Sequence, residues 1–355
     1  MATGGRLEAF LESHAAPAYP HSDAVAETVL AIARAGCRIA DLLAAGQLQP
    51  GLATHRGGDH GDPCKELDLQ ANALMLDALR AAPVAAVASE ELDAVLRLRP
   101  DGSLVVAIDP LDGSSNIDTA APVGTIFSIL PAGDPMDDPD AAFLRPGTEQ
   151  LAAGFLIYGS HTVLVLTLGD GTHLFTFDRE GQVFRCVSDP LSIALEADEY
   201  AINGSNQRHW LAPVRRYVTE CQQGREGPRR KDFNTRWIGS MMAEIYRIMV
   251  RGGVYLYPAD ARPSCREGRL RLIYEANPIA FLVEQAGGAA TDGRQRILGL
   301  SPTRIHQRVG LICGAVEEVA VIGDYHAQPD APRADPLFGS RTLFRPDHDH
   351  RGAHT

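Results

Sequence analysis

The run VVAIDPLDGSSNID, residues 105–118, constrains this chain more than any other segment. Four consecutive apolar residues, Val105–Ile108, make the pattern of a buried strand. Asp109 and Asp112 follow, and Pro110 and Gly113 predict a sharp turn between them. Gly113, Ser114, Ser115 and Asn116 then suit a turn that opens a helix. Carboxylate oxygens at a strand end suit a hard cation such as Mg2+ or Mn2+. Free N–H groups over a small-residue turn at a helix start suit a phosphate. A cation site beside an anion site points to chemistry on phosphate esters. A plain acidic turn has no need of two Asp, a Gly and two Ser in series.

A chain of 355 residues can form one large domain or two ordinary ones, and an apolar fraction of 45% supplies a real core. The net charge of −12 argues against general nucleic-acid binding, which needs a basic face. It also repels an anionic substrate unless metal ions and local Arg residues invert the field. No run of 18 apolar residues occurs, so no membrane span is expected. The opening MATGGRLEAFLESH lacks the basic start and apolar run of a secretion signal. Cys37, Cys64, Cys186, Cys221, Cys265 and Cys313 are scattered without a C-x-x-C pair. That usage fits reduced thiols, and the expected compartment is the cytoplasm.

Residues 22–45 carry a helical stripe (Val25, Val29, Ile32, Ile39, Leu42) that Gly46 should end. HRGGDHGDP, 55–63, is a loop on composition, and a second helix is predicted from Leu67 to Leu79. From Leu104 to Phe184 the texture turns to short β-rich runs, interrupted by a turn-rich insertion at 132–147 that is expected to be exposed. Beyond about 195, strands and helices alternate. Met241, Ile245, Ile248 and Met249 make a helix face stopped by Gly252 and Gly253, while VYLYP and RLRLIYEAN are predicted strands. Asn277 and Pro278 signal a helix start and Gly287 its end. The expected organisation is α/β, with an N-terminal α+β half over 1–195 that holds metal and phosphate. A substrate-binding half over 196–327 and a surface tail over 328–355 follow.

Other residues gain interest from the first motif. Glu90 and Glu91 in SEEL would ordinarily be solvated charges, but a hard-cation site needs more ligands than two Asp provide. Asp62 lies in a loop and Asp68 at a helix start, and taken alone they read as a surface turn residue and a cap. Glu275 stands after an apolar run and before a helix start, which suits a ligand or a dipole partner. Arg236 precedes the 240s helix. Arg269 and Arg271 alternate onto one strand face with no adjacent acid, an arrangement able to bind an anion. Asn203, Asn206, Tyr255 and Tyr257 can hydrogen-bond a sugar or phosphate. REGPRRK, 225–231, reads as an exposed basic loop, and DHDH, 347–350, as part of a frayed tail.

CKELDLQAN, ASEEL, VVAIDPLDGSSNID, GTIFSI, RWIGSMMAEIYRIMVRGGVYLYP, GRLRLIYEANPIAFLVEQAGG and SPTRIHQR together resemble the class I fructose-1,6-bisphosphatases, within the lithium-sensitive, metal-dependent sugar phosphatase superfamily. They occur in that family's order over roughly residues 20–325. The resemblance implies a layered α/β/α/β/α fold with two sub-domains, usually assembled as a homotetramer. It implies removal of the 1-phosphate of fructose 1,6-bisphosphate with two to three Mg2+ per subunit, Mn2+ being able to substitute. By the same resemblance Glu90, Asp109, the carbonyl of Leu111, Asp112 and Glu275 are metal ligands. Glu91 and Asp68 orient and deprotonate the attacking water, and Asp62 closes over the site. Asp112, Gly113, Ser114 and Ser115 hold the 1-phosphate; Asn203, Tyr257 and Arg269 contact substrate, and Arg236 reaches a neighbouring subunit's substrate. Arg269 replaces a family Lys and Asn206 a family Tyr. Ser103, Leu104 and Pro131 stand where animal members carry their AMP-binding side chains, so inhibition by AMP is not expected. Sedoheptulose 1,7-bisphosphate is an alternative or additional substrate. Inositol and adenosine bisphosphate phosphatases carry a Trp-Asp pair, whereas Trp210 and Trp237 precede Leu and Ile. A metal-binding regulator without catalysis would lack one of the acids.

Overall fold

Helix formation at the start of the chain follows from spacing. In α1 (Leu7–His14) the buried residues Leu7, Phe10 and Leu11 fall at positions i, i+3 and i+4, a stripe too short to be read in the sequence alone. α2 (Ser22–Ala45) buries Val25, Val29, Ile32 and Ile39 and stops at Gly46, whose φ of 49° suits a residue without Cβ. α3 (Pro63–Ala81) is longer than the predicted 67–79 and begins on a proline, which needs no N–H partner there. This computed structural model describes residues 4–14, 21–46, 63–133, 138–187 and 190–328. Asp62, most of the 55–63 loop and the tail beyond Gln328 lie outside them.

Eight strands follow: β1 (Val84–Ser89), β2 (Leu96–Arg97), β3 (Leu104–Asp112), β4 (Val123–Pro131), β5 (Ala152–Tyr158), β6 (Thr162–Thr167), β7 (Thr172–Asp178) and β8 (Val183–Cys186). They form one sheet in the order β2-β1-β3-β4-β5-β6-β7-β8, antiparallel except where β1 runs parallel to β3. α4 (Ala212–Gln222), α5 (Met241–Arg251), α6 (Asn277–Gln285) and α7 (Val316–Ala327) accompany the second half. There β9 (Glu199–Ile202), β10 (Asn234–Thr235), β11 (Val254–Tyr257), β13 (Ala289–Thr291) and β15 (Leu311–Gly314) form a sheet in the order β10-β9-β11-β15-β13. β12 (Leu270–Arg271) pairs with β14 (Arg308–Val309).

Burial explains the layering. Phe127 and Leu156 on one face of the large sheet pack with Val29, Ile32 and Met75 of α2 and α3. Ile126, Phe155 and Val163 on its other face pack with Met242 and Ile245 of α5, Leu282 and Val283 of α6, and Tyr255 and Cys313 of the small sheet. Val214, Tyr217, Val319 and Ile322 of α4 and α7 close the far side of that sheet against Tyr200 and Leu256. The result is α/β/α/β/α. Strands covered on both sides are mostly apolar, and each fully buried Leu, Ile or Phe contributes roughly 1.5–3 kcal/mol.

Several expectations are corrected. RLRLIYEAN is not one strand: only Leu270–Arg271 pair, and Leu272–Ala276 form a wide, π-helical turn that runs into α6. A short apolar run does not distinguish strand from buried helix. Pro278, without an N–H and with a ring that would strike the carbonyl of Tyr274, favours the wide turn. Asn277 is therefore not a cap; it is buried, and its carbonyl accepts from Gln150 Nε2 at 3.2 Å. In the 132–147 insertion, Ala142 and Phe143 are buried against the first sheet. In the basic loop, Arg229 is not exposed: it makes a two-oxygen ion pair with buried Glu318 of α7. Gly287, φ 82°, does follow the end of α6.

Candidate active site

β3 does not turn between its two aspartates but runs on through Asp112. Asp109 pairs with Ile126 and Asp112 with Gly124, so Pro110 and Leu111 oppose the single residue Thr125. This is a β-bulge. Residues three apart on a regular strand face opposite sides; the extra residue restores both carboxylates to one side. The bulge's loose backbone groups are satisfied locally. The Leu111 amide donates to Asp109 Oδ1 at 3.1 Å, and the Pro110 carbonyl accepts from Thr125 Oγ1 at 2.8 Å.

The wide turn before α6 delivers Glu275 to the same place. Oxygens of Asp109, Asp112 and Glu275 lie within 4.8 Å of one another. Asp109 and Glu275 are buried, at 5% and 7% exposure. Burial, with repulsion from Asp112, Glu275 and Glu90, pushes the Asp109 carboxyl well above the usual range. Burial and Glu90 push Asp112 up to about 7. Glu275 is raised by burial and by Asp112, against a hydrogen bond from the Arg271 amide. Among the described residues, Asp112 Oδ2 is buried without a hydrogen-bond partner. Three crowded carboxylates and an orphaned oxygen form an all-oxygen set that fits a hard divalent cation.

Glu90 follows β1, and its amide extends the β1–β3 pairing to the Ile108 carbonyl at 3.0 Å. Its carboxylate meets Arg271 at 3.0 Å. The expectation that Arg269 and Arg271 form an acid-free anion site is thus corrected: Arg271 is committed to Glu90. Glu91 lies beside Ser89, whose hydroxyl accepts the Glu91 amide at 3.4 Å and donates to Asn72 of α3 at 2.8 Å. Asp68, also on α3, accepts from Ser114 Oγ at 3.1 Å. Gly113 takes φ 79°, and Ser114–Asn116 form a three-residue 3-10 turn rather than the opening of a longer helix. Asn116 Nδ2 reaches the Gly239 carbonyl at 3.2 Å, tying this turn to the approach to α5.

A second concavity is lined by Asn203, Asn206, Trp210, Tyr257, Asp260 and Arg269. Arg269 Nε donates to Cys265 Sγ at 3.2 Å, a contact that sequence reading missed and that no motif signals. Asn203 Oδ1 accepts from the Ser205 amide at 3.1 Å. Tyr255, unlike half-buried Tyr257, is sealed in the core. Arg236 stays 54% exposed, 3.4 Å from Glu199, outside both concavities.

A cluster of acids able to hold a metal, beside a small-residue turn suited to phosphate, is the construction of a metal-assisted phosphatase. Family models for the N-terminal and C-terminal domains of fructose-1-6-bisphosphatase match residues 39–189 and 193–327. The chain is 52% identical over 324 residues to fructose-1,6-bisphosphatase class 1 of Azorhizobium caulinodans, covering 90% of this chain and 98% of that one. It is 50% identical over 351 residues to the class 1 enzyme of Rhodopseudomonas palustris, covering 97% and 100%. The crystal structure of Leishmania major fructose-1,6-bisphosphatase in holo form matches with a TM-score of 0.82 at 30% identity, covering 92% of this chain and all of that one. The chain belongs to the fructose-1,6-bisphosphatase family.

Proposed function

We propose that this chain is a divalent-metal-dependent phosphoric monoester hydrolase that cleaves the 1-phosphate of fructose 1,6-bisphosphate, yielding fructose 6-phosphate and inorganic phosphate. The carrying observation is the meeting of Asp109, Asp112 and Glu275 oxygens within 4.8 Å. The names of its relatives support the substrate. In this reading Glu90, Asp109, the Leu111 carbonyl, Asp112 and Glu275 hold two to three Mg2+ per subunit, Mn2+ substituting. When bound, the metal offsets negative charge on the ester and makes a water more acidic.

Glu91 and Asp68 would hold the attacking water and take its proton as its oxygen bonds to phosphorus and the bond from phosphorus to the sugar's O1 breaks, O1 departing and taking up a proton. The Ser114 hydroxyl is given to Asp68, and the amides of Gly113, Ser114 and Ser115 steady the phosphoryl oxygens. Asp62 closes over the site from its loop. Asn203, Tyr257 and Arg269 hold the sugar and far phosphate. Arg236, exposed in one chain, serves a neighbouring subunit of a homotetramer. The division at residue 195 then separates metal-binding from sugar-binding halves, with 328–355 a surface tail. The setting is cytoplasmic carbohydrate metabolism, gluconeogenic or in the Calvin cycle.

The test is phosphate release at saturating Mg2+ by Asp112→Asn, across a panel of bisphosphorylated and monophosphorylated sugars including sedoheptulose 1,7-bisphosphate. A loss of roughly 10²-fold or more in turnover is expected. Near-parent turnover would remove Asp112 from the site. Preference for another sugar would reassign the substrate.

A further inference from the structure

The bulge that unites Asp109 and Asp112 is itself held from below. Thr125 is the lone residue opposite it and is fully buried. Its hydroxyl has one proton, which goes to the Pro110 carbonyl at 2.8 Å. The Tyr158 phenol on β5, 2.8 Å from Thr125 Oγ1, must then be the donor to it. Burial holds that phenol well above its usual range, so it keeps its proton. Tyr158 in turn sits against Gly36 of α2, where a Cβ would lie 3.2 Å from the phenol oxygen and 2.5 Å from Leu156 Cδ2.

We propose that the Thr125 hydroxyl is a positioning residue for the metal site, with Tyr158 orienting it in turn. The proposal rests on the reading that Asp109, Leu111 and Asp112 hold the cation. A bulge breaks the ladder and leaves backbone polar groups that need other partners. Pro110 has no N–H, so its carbonyl is the group that ties the bulge to the sheet. Fixing that carbonyl fixes the peptide plane leading into Leu111. Without the hydroxyl, a buried carbonyl loses its partner and the bulge gains other arrangements. Carboxylates gathered by it then spend less time in the ligating geometry.

The test uses the full chain without substrate and measures Mn2+ binding by calorimetry or electron paramagnetic resonance, well below the unfolding transition. Thr125→Val keeps shape and β-branching but removes the hydroxyl, and it should weaken Mn2+ binding about tenfold or more. Thr125→Ser restores the hydroxyl and should stay within about threefold of the parent. Tyr158→Phe should fall between them, and it carries the test if Thr125→Val does not fold. At saturating metal, the KM for substrate, which this reading assigns to Asn203, Tyr257 and Arg269, should change less than the metal requirement. Parent-like Mn2+ affinity in Thr125→Val overturns the proposal, as does equal weakening in Val and Ser, which would trace the loss to packing. If Val does not fold, parent-like affinity in Tyr158→Phe overturns it. Absence of Mn2+ binding by the unaltered chain would instead overturn the site assignment, and this inference with it.

Discussion

Two arginines two residues apart take up different work. Arg271 neutralises Glu90 at 3.0 Å at the rim of the acid site, while its amide holds Glu275. Arg269 faces the Asn203–Tyr257 concavity and rests on the Cys265 sulfur. A guanidinium in that place suits bidentate capture of a phosphate away from the bond being broken. Arg269→Ala should therefore raise KM about tenfold or more while turnover at saturation falls less, because uniform binding is lost rather than transition-state binding. Steady-state kinetics of phosphate release check this. An equal fall in kcat and kcat/KM would mean that Arg269 acts on the reacting phosphate itself. Nothing in GRLRL separates the two roles: alternation assigns both side chains to one face, and their partners come from residues far away in the chain.

At the scale of elements, the motif's strand and its acids were legible and its geometry was not. Val105–Ile108 form a strand with no solvent exposure, as four apolar residues in series imply. The turn expected at Pro110 became a bulge because β4 continues to pair on both sides of it. Gly124, the partner of Asp112, shows how tightly this region is built. A Cβ there would lie 2.5 Å from the Leu156 carbonyl and 2.6 Å from Met242 Cγ of α5. Gly124→Ala should cost about 1–3 kcal/mol through overpacking, read as a lowered urea midpoint, with activity falling too as β4 shifts beneath Asp112. Parent-like stability and activity would show that α5 gives way instead. The wide turn at Leu272–Ala276 was hidden for a related reason. Its five residues are all buried, so neither a two-residue nor a 3.6-residue period of polarity marks it.

Over the whole molecule, stability gathers where layers meet. α1 docks on the large sheet through Phe10, whose ring packs at a tilt against His173 of β7 at 4.5 Å and against His14 at 4.2 Å. Burial, with help from nearby His14, lowers the His173 pKa against a hydrogen bond with the Asp170 carbonyl. A histidine lowered in the folded state favours that state while neutral. Its contribution is complete above the unfolded value near 6.5 and is lost as pH falls through the lower folded value. The His173 contribution, read as the difference in urea stability between the parent chain and His173→Phe, should thus decline from pH 7 to pH 5; taking the difference cancels the acid cluster, whose raised carboxyls act with the opposite sign. Identical pH dependence would exclude His173. On the far side of the molecule, Arg229 and Glu318 join the 225–231 loop to α7 in a buried pair, while Tyr217 donates to Glu318 at 2.7 Å. Among the described residues no helix is long and apolar enough to cross a membrane. What this sequence determined by itself is the identity of the chemistry: residue types, and strings long enough to mark a family, survive without coordinates. Only the tertiary structure decided which acids meet, which arginine is already engaged and how the strand carries Asp109 and Asp112 on one side. Those outcomes depend on pairing register and on contacts between distant segments, and neither is encoded in any local run of residues.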